Sequence, residues 1–306
     1  MLKFALPVCT TLSLLALAPA ALAQCATVDP VIVPQIRVDP LDAGGPTNLI
    51  QPFQLTFRRA TVDTKPLIVR YQIVDDDSSA IARVGLSQGP VVDWTSSDSS
   101  RSIGAVRSQG YVLLRTGVAT IGENDTAAQR SVTLRLDDVR TDIPAGIYRE
   151  QFAVRYWCEA EETGIPYEAM GAVSVSVAVP NVLSASVAGT SLRGEIDFMD
   201  FNSLSRSIQV AVRSTGPYRV TARSANGSAL VRVGSGRTAR PSDRIGYTAS
   251  FDGDPLVVGN ADSSRLMPRA GLAGRSVALD VTIGNIKDNV AGLYTDVIYL
   301  SVAPAN

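Results

Sequence analysis

The stretch AGLYTDVIYLSVAPAN, residues 291–306, reads as a β-strand, with Ile298, Leu300 and Val302 alternating on one side. Residues 145–158, AGIYREQFAVRYWC, carry nearly the same text, but there the chain turns and writes a further strand, AVSVSVAV, at 172–179. After the second copy only Ala303, Pro304, Ala305 and Asn306 follow. The difference between these two endings sets the expected architecture.

The similarity extends upstream. SVTLRL at 131–136 is echoed by SVALDV at 276–281, in the same order relative to the two tyrosine-containing strands. Two segments repeated in register indicate two copies of one domain type. Short alternating runs separated by Gly, Pro, Asn, Asp and Ser, with no sustained helical period, make both copies all-β. Tyr148 and Tyr294, each just inside the start of its strand, resemble the tyrosine corner of immunoglobulin-like sandwiches. The expected fold is two immunoglobulin-like β-sandwich domains in tandem, residues 24–180 and 181–306, the C-terminal one lacking its last strand.

Lys3, the apolar run Phe4–Leu17 and the small-residue site Ala21-Leu22-Ala23 describe a secretory signal peptide over residues 1–23. Export leaves Cys25 and Cys158 as an even pair in an oxidising compartment, read as one disulfide. The 28 basic and 29 acidic residues are interspersed, which leaves no electrostatic footprint for nucleic acid or an anionic membrane.

A sandwich without one edge strand uncovers about five inward side chains, each costing about 1.5–3 kcal/mol relative to burial. The sum, on the order of 10 kcal/mol, rivals the whole stability of a domain. It also leaves a row of backbone N–H and C=O groups open to another chain. Such a domain is expected to accept an external strand by β-augmentation, with Ile298, Leu300 and Val302 lining the groove.

The segments SRSIQVAVRSTGPYRVTARSANGSALVR (205–232), IGYTASFDG (245–253) and AGLYTDVIYLSV (291–302) resemble the spore coat protein U domain of bacteria, found in pilins of the archaic chaperone–usher pathway. Over residues 24–180 the resemblance is carried chiefly by PAGIYREQFAVRY (144–156). Family members often carry cysteines in this domain, and residues 181–306 have none. The resemblance implies a donor strand supplied first by a periplasmic pilus chaperone and then by an adjacent pilin subunit, with an outer-membrane usher between. With Cys25 bridged, no N-terminal donor arm is expected. A closed domain in front and an open one behind then look like a two-domain tip adhesin, exported through the periplasm to the cell surface.

Receptor contacts are expected at the end of the first domain far from Pro180. Trp157, Ile165 and Tyr167 are candidates for an exposed patch there, and Val91, Val92 and Trp94, in a loop-like stretch, for an apolar finger or else a short core strand. An apolar surface and a glycan are the competing ligands. The chain contains no histidine, which removes Ser–His–Asp and Cys–His nucleophiles and imidazole metal sites. The acidic groups at 75–77, 137–138 and 159–162 sit among turn residues and read as solvated turns, so no catalytic residue, metal or cofactor is assigned. A periplasmic chaperone is disfavoured because it needs complete domains. A secreted coat or matrix subunit without a receptor role remains the alternative.

Overall fold

In the run 131–136, Val132, Leu134 and Leu136 are buried while Ser131, Thr133 and Arg135 on the other side are half-buried. Alternation of this kind recurs in most of the long strands, among them Tyr167–Val179, Ser205–Ser214, Tyr218–Ser224 and Arg244–Phe251. The structure is a computed structural model and describes residues 24–42, 49–61, 65–75, 82–85, 89–97, 99–106, 116–137, 142–158, 166–187, 192–199, 201–235, 239–258 and 264–305. Among them are 22 strands and no helix long and apolar enough to cross a membrane.

The first twelve strands are β1 (Ala26–Val28), β2 (Val31–Ile32), β3 (Ile36–Arg37), β4 (Leu49–Arg59), β5 (Leu67–Asp75), β6 (Val91–Ser96), β7 (Ser99–Ser102), β8 (Gly104–Val106), β9 (Gly117–Ile121), β10 (Ala127–Asp137), β11 (Gly146–Trp157) and β12 (Tyr167–Val179). One sheet has the order β1-β4-β10-β6-β7 and the other β2-β12-β11-β5-β8, with β3 also on β12 and β9 on β5. Their inner faces share one core that runs from Ala26 to Val179. Stripped of short additions, these are the A-B-E-D and C-F-G sheets of an immunoglobulin-like sandwich.

The remaining strands are β13 (Leu183–Val187), β14 (Ser205–Ser214), β15 (Tyr218–Ser224), β16 (Ala229–Arg232), β17 (Arg244–Phe251), β18 (Asp254–Leu256), β19 (Arg265–Met267), β20 (Gly271–Ile283), β21 (Tyr294–Thr295) and β22 (Ile298–Pro304). They form a sheet β13-β14-β20-β17-β16-β21 and a three-stranded sheet β19-β15-β22 around a second core. The repeated segments occupy equivalent places, β10 with β20 and β11 with β21 and β22. Both tyrosine corners form: the Tyr148 hydroxyl donates to the Pro144 carbonyl at 2.7 Å, and that of Tyr294 donates to the Val290 carbonyl.

One element has no periodic signal in the sequence. Residues 31–38 run parallel along β12, with Val33 N–H donating to Ser174 O and Val38 N–H to Ala178 O, both at 2.9 Å. Val33, Ile36 and Val38 are buried there. Cys25 and Cys158 form the expected disulfide, and the Tyr156 hydroxyl donates to Ala26 O at 2.6 Å, so the N-terminal segment is tied down along its length.

The two sandwiches meet through directed hydrogen bonds. Ala145 N–H donates to Thr215 O at 2.7 Å, and the fully buried Thr215 hydroxyl donates to Pro180 O and accepts from Val182 N–H. The Asp142 carboxylate accepts from the Arg269 guanidinium and from Leu272 N–H. Asn181 donates its carboxamide to Pro217 O and Ala305 O, at 3.0 and 2.7 Å. A Cβ on Gly216, in the turn between β14 and β15, would lie 2.7 Å from that carboxamide and displace it.

Candidate strand-acceptor site

In β22 the sequence IYLSVAP turns Ile298, Leu300 and Val302 toward the second core and Tyr299 and Ser301 away from it. β22 pairs antiparallel with β15 from Ser224↔Ile298 to Tyr218↔Pro304. On its other side it pairs with nothing among the described residues, because it ends the three-stranded sheet. An edge strand leaves alternate N–H and C=O groups pointing outward.

The equivalent strand of the first sandwich shows what is different. β11 lies between β5 and β12, and its inward residues Phe152, Val154 and Tyr156 are fully buried under Val173, Val175 and their neighbours. Their counterparts Ile298, Leu300 and Val302 touch the core yet stay half-exposed. The burial missing at these three side chains is what a further strand would supply.

Both ends of this edge are fixed. Ahead of β22, the Asp296 carboxylate accepts hydrogen bonds from the Ser224 hydroxyl at 2.5 Å, the Tyr247 hydroxyl at 2.6 Å and Asn226 N–H at 3.1 Å. Burial, and then the hydrogen bond to Asp296, push the Tyr247 phenol well above its ordinary range, so it remains a donor. Behind β22, Ala305 N–H donates to Pro217 O at 3.0 Å and its carbonyl accepts from Asn181. The open edge is therefore a preorganised ledge. Sequence reasoning did not find these clamps; the one signal was an acidic residue, Asp296, interrupting an apolar strand.

Of the residues expected at a receptor surface, Trp157, Val92 and Trp94 are buried. Trp157 does point away from the core, but it is only 3 % exposed, and Ala153 and Arg155 beside it are buried too, since the far half of this sheet is covered on both faces. Tyr167 lies on the opposite side, half-buried and stacked on Tyr156 with ring centroids 5.5 Å apart. These two residues form no common patch, and Ile165 lies outside the described residues. The stretch 91–96 is the core strand β6, not a finger: Val92 is buried, and Trp94, 1 % exposed, packs edge-on against Phe152 at 5.0 Å and Phe53 at 5.8 Å. Val91 is half-buried on the outer side. Among the described residues no group of three or more Cys, Asp or Glu side chains is arranged to hold a metal ion.

No family model matches the chain, and no curated protein matches it. Solved structures do. The chain is similar to the chaperone–tip subunit pre-assembly complex CsuC-CsuE from archaic chaperone-usher Csu pili of Acinetobacter baumannii, at 12% identity over 91% of this chain and 99% of that one, with a TM-score of 0.39. It is also similar to a point mutant of the CFA/I adhesin CfaE of enterotoxigenic Escherichia coli, at 9% identity over 91% and 93% of the two chains, TM-score 0.43. A third match is the CupB6 tip adhesin from Pseudomonas aeruginosa, at 12% identity over 90% and 93%, TM-score 0.40.

Proposed function

We propose that this chain is a pilus tip adhesin: residues 24–180 form a receptor-binding sandwich and residues 181–306 a strand-accepting one that plugs into the end of a pilus. The observation that carries the reading is the unpaired outer edge of β22 above half-exposed Ile298, Leu300 and Val302. A strand laid along β22 pairs the outward backbone groups and buries those side chains, at about 1 kcal/mol or more for each. A periplasmic chaperone supplies it during export and the adjacent pilin after passage through the usher. No catalysis is involved.

The consumption of residues 26–38 within the first sandwich favours a tip position over a repeating coat or matrix subunit. A polymerising subunit has to give a strand as well as take one. Here that stretch is paired along β4 and β12 and pinned by the Cys25–Cys158 disulfide.

The test is to tag the exported chain in its own host, purify it from periplasm and from sheared surface material, and identify its partners by mass spectrometry. A stoichiometric chaperone in the first fraction and a pilin in the second support the proposal. A lone monomer in both fractions contradicts it.

A further inference from the structure

β12 carries two sets of side chains. Val173, Val175 and Val177 fill the core, while Ser174 and Ser176 face outward. Across the ladder, Gln151 stands opposite Ser174 and Arg149 opposite Ser176. On the other flank β2 sets Ile32 beside Ser174, and the Gln35 carboxamide donates to the Ser176 hydroxyl at 3.2 Å. Short side chains between taller walls leave an open trough lined by Ile32, Arg149, Gln151, Ser174 and Ser176.

The two charged residues at the trough face opposite ways. Glu150 also borders it and carries a negative charge, but alternation along β11 turns its side chain to the other face from Arg149, where its oxygens accept from Gly85 N–H and Gln151 N–H, each at 3.2 Å. Arg149 makes no ion pair among the described residues, and neither does Arg37, one rung further along beside Ala178. A guanidinium fork matches a carboxylate. The serine hydroxyls and the Gln151 carboxamide both donate and accept, as a polyhydroxylated ligand requires. Ile32, 81% exposed, offers one apolar wall for the C–H face of a ring.

From this geometry we infer that the trough is a binding site for an acidic oligosaccharide, its carboxylate held by Arg149 and its hydroxyls by Ser174, Ser176 and Gln151. An added peptide strand does not fit, because β12 is already paired on both edges. A single apolar wall is too little for a hydrophobic ligand, and a chain of net charge −1 lacks the field that a nucleic acid backbone needs. The inference rests on the receptor-binding reading of the first sandwich and is independent of strand acceptance by the second.

The probe is trigalacturonate, with cellotriose as its neutral counterpart, titrated into the full exported chain with its disulfide intact and followed by amide NMR shifts. Trigalacturonate is expected to shift signals at 149–151 and 174–176 and to bind at least ten-fold more tightly than cellotriose. Arg149→Gln is expected to weaken it at least ten-fold, and Ser176→Tyr, which fills the trough, to abolish it, both with unchanged unfolding temperature. Absence of shifts at the trough, equal binding of cellotriose, or undiminished binding by Arg149→Gln overturns the site. Because no pilus component enters this experiment, such a failure leaves chaperone and pilin capture to be judged separately.

Discussion

Val302 stands directly across from Val220 in the register of β22 against β15, and no strand lies on its other side among the described residues. Its counterpart in the first sandwich, Tyr156, sits between Tyr71 of β5 and Tyr167 of β12 and is buried. One sandwich thus contains its own last strand and the other presents an edge for one. The tying of Ala305 to Asn181 places the end of that edge against the linker.

The disulfide closes a separation of 133 residues and pins the N-terminal segment to the end of β11. Replacing both Cys25 and Cys158 with Ser is expected to destabilise the first sandwich by about 2–5 kcal/mol. Trp94 and Trp157, the two tryptophans of the chain, both lie in that sandwich, so urea unfolding followed by tryptophan fluorescence reports on it selectively. The transition should move to lower urea, and dithiothreitol should reproduce the shift in the unmutated protein.

The tyrosine corners are separate tests of the repeat. Tyr148→Phe and Tyr294→Phe each remove one hydrogen bond to a carbonyl four residues upstream, at a cost of about 1 kcal/mol. Because the two residues belong to different cores, the double variant should lose the sum of the single losses in calorimetry.

Trp94 belongs to the core between Phe53 and Phe152, which predicts a stability phenotype for its loss. Trp94→Ala should cost about 3–5 kcal/mol, read as a lowered urea midpoint through the remaining Trp157. A stable variant with altered surface attachment would instead favour an exposed finger.

Acid should act on the second sandwich through Asp243. The Arg232 side chain, bonded at 2.7 Å, and Arg240 N–H hold this carboxyl below its ordinary range in the folded chain. A depressed folded pKa means that the unfolded chain takes up the proton first. The stabilisation is therefore complete above about pH 4–5 and is lost as pH falls through the lowered value. Asp243→Asn should lower the unfolding temperature at pH 7 and narrow the gap to the unmutated protein at pH 3.

Much of this was legible in the residues because strands with one dry face write their period directly. The segments at 131–136, 145–158, 276–281 and 291–302 found their sheet positions from alternation and repetition alone. Alternation gives direction but not cover, which is why Trp157, correctly turned outward, proved buried. The strap at 31–38 was not legible, since Pro30, Pro34 and two-residue strands leave no period. The clamps at Asp296 and Asn181 depend on partners 49–124 residues distant in sequence, a relation that no local pattern records.

The central claim is that β22 is built to receive a strand. The most direct measurement fuses a copy of AVSVSVAV, residues 172–179, to the C-terminus through a flexible turn, and follows amide hydrogen exchange over Ile298–Pro304 together with thermal unfolding of the second sandwich. Exchange at these amides should slow, and the midpoint should rise by more than about 10 °C, whereas a control strand with its four valines changed to serine should do neither. Unchanged exchange and an unchanged midpoint with the valine strand would contradict the account, because the edge would then need no partner.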